Sequence, residues 1–227
     1  MRTLPAVYFA TRRRFTAGVS AIVLGCICAG CTSLPPNLKD LGAQLLEKCP
    51  AGVDLESDAN SILVVSIESD LFFDEFYLLI EKDSVDKYLL RLRAKKFVIP
   101  TPELIKRGRA PANTYCYTST PGTFHISEII GIFSTRGPGS TSVDSVVFEH
   151  SREFTVTANK ATYLGRYLLL DPRMKGKDYF GRVGAILGGP IPTEIEINVV
   201  DSIDEDSACI RRDHKKISPE DFVDLAN

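Results

Sequence analysis

The feature that most constrains the fold is a series of short runs rich in β-branched and aromatic residues, separated by turn residues. Residues 62–67 read ILVVSI, and residues 195–199 alternate as IEINV. Similar runs lie at residues 76–80, 88–93, 114–118, 124–133, 146–148, 154–157 and 162–170. Short strands with turn signals between them are typical of antiparallel sandwiches. We therefore predict a mostly β fold, an antiparallel β-sandwich with short helices at its N- and C-terminal ends.

The helices are expected on either side of the strand series. Residues 41–48 have the length of one or two helical turns, which Pro50 ends. The acidic residues at 201–206 favour the start of a second helix. Residues 218–221, with the sequence SPED, resemble the capped start of another. Between two of the strand runs, residues 134–142 predict a flexible loop.

The N-terminus has the pattern of an export signal. It carries four arginines and no acidic residue, followed by the uncharged residues 15–30. That run is shorter than the roughly 20 residues that span a bilayer core. A basic flank, a short apolar run and the small residues Ala29 and Gly30 are typical of a secretory signal.

The end of this run, Cys28-Ala29-Gly30-Cys31, resembles the lipobox of bacterial lipoproteins, with Cys28 where leucine is usual. The resemblance implies cleavage before Cys31 and acylation of Cys31, with palmitate among the attached chains. Residues 1–30 are then the signal peptide, residues 31–50 the lipidated cysteine and tether, and residues 51–227 the main domain. Cys26 is a second candidate anchor, and an uncleaved membrane helix or a plain cleaved signal are the alternatives.

The residues on either side of the apolar run bear on the export pathway and on the membrane to which the protein is delivered. Residues 11–15, TRRRF, resemble a twin-arginine export signal, although an ordinary basic flank explains the arginines equally well. Thr32, and not aspartate, follows Cys31. In bacterial lipoproteins this implies the outer membrane, and we expect the domain on its periplasmic face.

Charge excludes one class of partner. The chain has 27 basic and 29 acidic residues, and four of the arginines lie within the predicted signal. The main domain is therefore acidic overall, and we predict no nucleic-acid partner.

Three cysteines remain outside the predicted signal and anchor: Cys49, Cys116 and Cys209. An oxidising envelope permits one disulfide among them. Cys49 precedes the first strand of the domain and Cys209 lies near its end, and domain ends often lie close together. We favour a Cys49–Cys209 disulfide, and the alternative is three buried, reduced thiols.

Two stretches resemble the β-sandwich domains of uncharacterised bacterial lipoproteins. They are residues 120–126, TPGTFHI, and residues 154–165, FTVTANKATYLG. Asn159 stands where that family usually has glycine, and both tolerate a left-handed turn. The resemblance implies a transthyretin-like or carboxypeptidase-regulatory-like topology, and it carries over no functional residue.

No residue pattern indicates catalysis or a cofactor. The three histidines, His125, His150 and His214, accompany no G-x-S-x-G nucleophile motif. The acidic residues between 68 and 75 have oxygen ligands that suit Ca²⁺, but their spacing fits no loop motif and we favour a solvated turn. The glycines at 181–189 lack the rest of a phosphate-binding loop. We therefore predict no catalytic residue, no metal and no cofactor.

The long segment 171–193 is the candidate partner-binding loop. Long connections in compact domains are usually functional or disordered. This one contains aromatic and basic side chains of the kind that anchor interfaces. They are Tyr179, Phe180, Arg173, Lys177 and Arg182. The alternative is that Tyr179 and Phe180 cap one end of the sandwich.

These observations favour a lipid-anchored envelope protein that acts as a non-enzymatic protein-interaction or assembly module. Its expected partners are the membrane, through the anchor, and an envelope protein. An envelope hydrolase with dispersed catalytic residues and a purely structural envelope protein are the alternatives.

Overall fold

The computed structural model describes residues 7–11, 36–55, 61–71, 73–83, 85–94, 112–137, 140–177 and 191–226. The described chain is mostly β-strand, so the predicted class is confirmed. The strands are β1 (Val7–Thr11), β2 (Gln44–Leu45), β3 (Ser61–Ser69), β4 (Glu75–Lys82), β5 (Asp86–Leu92), β6 (Asn113–Ser119), β7 (Gly122–Gly137), β8 (Ser140–Val156), β9 (Ala161–Leu170), β10 (Glu194–Val200) and β11 (Phe222–Asp224). Helix α1 is Pro36–Lys39 and helix α2 is Ile203–Asp213.

The strands form two mixed sheets. The first has the order β2-β5-β4-β7-β8 and the second has the order β10-β9-β3-β6. The pairs β2–β5, β3–β9 and β11–β9 are parallel, so the sheets are partly parallel and the predicted antiparallel sandwich is not confirmed. No short turn joins the strands of these pairs, so local sequence does not predict them. The five strands β4 to β8 lie between β3 and β9 in the chain, and such long connections permit parallel pairing.

Strand β9 is paired along both edges. Strand β3 follows one edge, while β10 pairs with residues 166–170 and β11 with residues 161–163. Gly165, between those two stretches, has φ +97°, and a Cβ there would lie 2.5 Å from Val199 Cγ1. Glycine is therefore required where the two partner strands meet.

Two short segments connect the sheets at their edges. Strand β1 pairs with β10 through residues 7–9 and with β8 through residues 10–11. At the other side, residues 44–49, called the strap below, pair first with β5 and then with β6. The Leu46 amide donates to the Leu89 carbonyl at 3.0 Å, and the Cys49 amide donates to the Cys116 carbonyl at 3.0 Å. The strap therefore spans from the first sheet to the second.

The core has three parts, and strand β3 explains two of them. Every residue of β3 is buried. Leu63, Val65 and Ile67 join the main cluster, which includes side chains of both sheets. Ile62 and Val64 point to the opposite face, where Ile210 of α2 covers them. A third cluster packs Leu38 of α1 on the outer face of the first sheet. Covered faces on both sides account for the continuous apolar run at residues 62–65.

Several local expectations need correction. Residues 41–48 are not helical, because residues 44–45 pair with β5 and the helix lies earlier, at Pro36–Lys39. Helix α2 begins within the acidic cluster, at Ile203, but residues 219–221 make only one 3-10 turn before β11. The loop predicted at 134–142 is largely strand, since β7 runs to Gly137 and β8 starts at Ser140. Within the described segments, neither helix has the length and apolar composition needed to cross a membrane.

Candidate functional site

A cleft of about 670 Å³ lies where the strap meets β5 and β6, and we call it the seam cleft. Residues of all three segments line it: Leu45, Leu46, Glu47, Lys48, Arg91, Arg93, Tyr115 and Tyr117. Its volume is within the range of small-molecule sites. The seam cleft is therefore the first candidate for a binding site in the described part of the chain.

Glu75 organises the two arginines of the seam cleft. Its Oε2 accepts hydrogen bonds from Arg91 Nε at 2.9 Å and from Tyr77 OH at 2.7 Å. Its Oε1 accepts from Arg93 Nε at 2.8 Å and also from the Nη2 groups of Arg91 and Arg93. Burial acts to raise the pKa of Glu75, but the hydrogen bonds from Arg91, Tyr77 and Arg93 outweigh it, and the pKa lies below its ordinary value. One ionised carboxylate thus orients two guanidinium groups.

Two tyrosines of β6 fix the backbone that carries these arginines. Tyr115 OH donates to the Arg93 carbonyl at 2.7 Å, and Tyr117 OH donates to the Arg91 carbonyl. Burial is the main reason that the pKa of both phenols lies above its ordinary value, so they stay protonated and donate. The two rings stack with centroids 6.4 Å apart. These contacts cross from one sheet to the other and hold the end of β5 in place.

Lys48 adds a third positive charge from the strap. Its Nζ lies 4.9 Å from the centroid of the Tyr115 ring. Its pKa is lowered first by burial and then by the charges of Arg93 and Arg91, although Glu75 acts in the opposite direction. Desolvation is the largest cause of this shift, and the two neighbouring guanidinium groups add to it.

A disulfide closes the strap against β6. Cys49 is bonded to Cys116, with Cα atoms 5.4 Å apart, and so the expected Cys49–Cys209 pairing is wrong. Cys209 is instead an exposed free thiol on α2. The physical reason is the strap itself, because its pairing with β6 brings residue 49 beside residue 116. Cys49 directly follows Lys48, and Cys116 stands between the two tyrosines, so the disulfide joins two walls of the seam cleft.

The expected partner-binding loop is only partly described. Tyr179, Phe180 and Arg182 lie outside the described residues. The described start of the segment is ordered: residues 172–174 form a 3-10 turn, and Arg173 Nη2 lies 2.6 Å from Asp171 Oδ2. Lys177 is exposed. The segment is therefore not structureless over its whole length. Cys31, the expected anchor, also lies outside the described residues.

The acidic stretch 68–75 is not the solvated turn that the sequence predicts. Glu68 and Asp70 are buried, with 1% and 2% of their surface exposed. Asp70 Oδ1 accepts a hydrogen bond from the Asp171 amide at 2.8 Å, which ties the end of β3 to the end of β9. Among the described residues, no group of three acidic, histidine or cysteine side chains has the arrangement of a metal site.

The histidines lie apart from the seam cleft. His150 on β8 is buried against the ring of Tyr167, with centroids 5.6 Å apart. His214 is buried at the end of α2, and His125 is half-buried on β7. None of the three lines the seam cleft.

A second charged cluster fixes α2 to the second sheet. Arg166 Nη2 donates to Asp206 Oδ1 at 2.6 Å, and Tyr163 OH donates to Asp206 Oδ2 at 2.5 Å. Thr114 Oγ1 adds a bond of 3.2 Å to Asp206. Because Arg166 and Asp206 are both buried, we assign this cluster to packing and not to ligand binding.

Comparisons with known proteins add no family to this picture. No family model matches the chain, and searches of curated proteins and of solved structures give no match. The site must therefore be interpreted from its own geometry.

Sequence reasoning missed the seam cleft. One signal was present, because residues 88–93 alternate apolar and basic side chains and so place Arg91 and Arg93 on one face of a strand. The partners Glu75, Lys48 and Tyr115 come from three other segments. Their convergence depends on the sheet order, which no local pattern reports.

Proposed function

We propose that this chain is an exported, lipid-anchored envelope protein that acts as a non-enzymatic binding module through the seam cleft. The basic start of the chain, its short apolar run and the lipobox-like residues 28–31 support the anchor at Cys31. Thr32 supports the outer membrane as its location, with the domain in the periplasm. The main core cluster contains side chains of both sheets, which supports a sandwich arrangement as part of this proposal.

The binding role is supported by the preorganisation of the two guanidinium groups in the seam cleft. Arg91 and Arg93 are held by Glu75, and their backbone is held by Tyr115 and Tyr117. A site whose donors are already oriented loses little conformational entropy when a ligand binds. Guanidinium groups and tyrosine rings are also the side chains that contribute most at interfaces.

The anchor is tested by labelling cells with radioactive palmitate. Wild type and Cys26→Ala are expected to incorporate label, while Cys31→Ala remains an unlabelled precursor. The opposite pattern, with label lost only in Cys26→Ala, would assign the anchor to Cys26. Membrane fractionation of the labelled wild type is expected to place it in the outer membrane, and recovery in the inner membrane alone contradicts that location.

The binding role is tested by pulldown of the full chain from detergent-solubilised membranes. An envelope component is expected to co-purify in stoichiometric amount with wild type and to be lost with the double variant Lys48→Gln/Arg93→Gln. Lys87→Gln is the matched control, because Lys87 lies on β5 and forms an ion pair with Glu81 at 3.2 Å. Equal recovery with wild type and the double variant would exclude the seam cleft as the binding site.

A further inference from the structure

We infer that the seam cleft binds the oxyanion group of a small organic ligand, a carboxylate or a phosphate. This inference rests on the proposed binding function and specifies the ligand. Four features of the site support it: its charge balance, its unused donors, its exposure and the apolar side chains of its wall.

The charge balance leaves positive charge without a local partner. Lys48, Arg91 and Arg93 supply three positive charges, and Glu75 and Glu47 supply two negative ones. The side chain of Glu75 is only 12% exposed, and both its oxygens already accept hydrogen bonds from the arginines. Glu47 is exposed on the strap, where water weakens its field. Within the described residues, Lys48 forms no ion pair and lies over a tyrosine ring.

The arginines keep donors for a ligand. In the described part of the chain, Glu75 engages Nε and Nη2 of both guanidinium groups, which leaves Nη1 of each for another acceptor. The side chain of Arg93 is 59% exposed and that of Arg91 is 22% exposed, so both can be reached from solvent. Oxyanions are the acceptors that match guanidinium and ammonium donors best.

The apolar side chains of the cleft wall suit an organic group attached to the oxyanion. Leu45 and Leu46 of the strap and the rings of Tyr115 and Tyr117 line the cleft beside the cationic groups. A volume of about 670 Å³ exceeds what a bare phosphate or carboxylate group fills. Small-molecule sites combine such an apolar lining with a few oriented polar groups.

The test is thermal unfolding of the detergent-solubilised full chain with two probes, phenyl phosphate and benzoate, at constant ionic strength. Phenol serves as the uncharged control. At least one anion is expected to raise Tm in proportion to the logarithm of its concentration, while phenol at the same concentration leaves Tm unchanged. The stronger of the two anions identifies the phosphate or the carboxylate as the preferred group.

Matched variants assign the effect to the seam cleft. Lys48→Gln and Arg93→Gln are expected to weaken the apparent affinity for the anion at least fivefold each, because each removes one charged donor. Lys87→Gln is expected to bind as wild type does, since Lys87 lies near the start of β5, about 20 Å along the chain from Arg93. No response to either anion, an equal response to phenol, or equal affinity in all variants overturns the inference.

These outcomes are separate from those of the proposed function. If the wild type binds neither anion but retains its pulldown partner, the oxyanion assignment alone is overturned. Anion binding that persists when no membrane component co-purifies leaves the inference standing and contradicts the envelope partner.

Discussion

At the residue scale, the pair Arg166 and Asp206 shows how a buried charge is accommodated. Asp206 accepts hydrogen bonds from Arg166, Tyr163 and Thr114, and it lies in the first turn of α2. An ionised pair is costly to bury unless hydrogen bonds satisfy both partners. The cluster therefore specifies where α2 docks on the second sheet.

Replacing Asp206 by alanine is expected to reduce the free energy of unfolding by about 3–5 kcal/mol, because Arg166 is left as a buried charge without its main partner. Glu205→Ala is the matched control, since Glu205 also contacts Arg166, at 2.9 Å, but its side chain is 76% exposed. That control is expected to cost less than about 1 kcal/mol. Urea unfolding measures both, and equal losses would show that the buried pair has no special role.

His150 is expected to make the free energy of unfolding depend on pH. Burial, with the positive charges of Arg152 and His125, lowers its pKa to about 4. The folded state therefore resists protonation that the unfolded chain accepts near pH 6.5. This contribution to stability is complete above pH 6.5 and is lost as the pH falls towards 4, by up to about 3 kcal/mol.

The measurement is urea unfolding at pH 7.5 and pH 4.5. His150→Phe is expected to lose much of the difference between the two pH values, whereas His125→Gln, which removes only the smallest of the three causes, retains most of it. If His150→Phe keeps the full wild-type difference, the pH dependence arises elsewhere.

At the element scale, strand β1 connects the two sheets with residues that the sequence assigns to a signal peptide. Residues 10–11 pair with Val147 and Phe148 of β8, and residues 7–9 pair with residues 194–196 of β10. Removal of residues 1–30 would turn these stretches of β8 and β10 into open edges. Strands β7 and β9 would still pair with their other sides.

A chain that starts at Cys31 is therefore expected to unfold cooperatively but to exchange amide hydrogens faster at residues 147–148 and 194–196 than the full chain. Amides of Leu168 and Leu169 on β9, which is paired on both edges, serve as the internal control. Hydrogen exchange followed by mass spectrometry measures the difference. A truncated chain without a cooperative transition would make β1 a required part of the domain and would contradict its removal as a signal.

At the scale of the whole molecule, sequence patterns predicted the strands better than their arrangement. Alternation and β-branched runs located β3, β6, β9 and β10, and the Thr-Pro-Gly turn at 120–122 separates β6 from β7. Asn159, in the turn between β8 and β9, has φ 55°, the left-handed conformation expected at this position. These features depend on neighbouring residues and can be deduced locally.

The seam cleft, the disulfide and the parallel pairs were not predictable in that way. Each depends on residues far apart in the chain, such as Glu75 with Arg91 or Cys49 with Cys116, 67 residues apart. The strap was misassigned as a helix because its two-residue strand has too few positions to show alternation. Only the sheet order brings these residues together.

The disulfide between the strap and β6 also links the stability of one wall of the seam cleft to the redox state of its surroundings. A bond that closes a loop of 67 residues stabilises the folded chain by about 2–4 kcal/mol. The cytosol keeps thiols reduced, so a newly made chain holds Lys48 near Arg93 only through the hydrogen bonds of the strap. Oxidation after export would then complete the wall of the cleft. On the proposed export route, the cleft would therefore gain this stabilisation only after the protein has left the compartment of its synthesis.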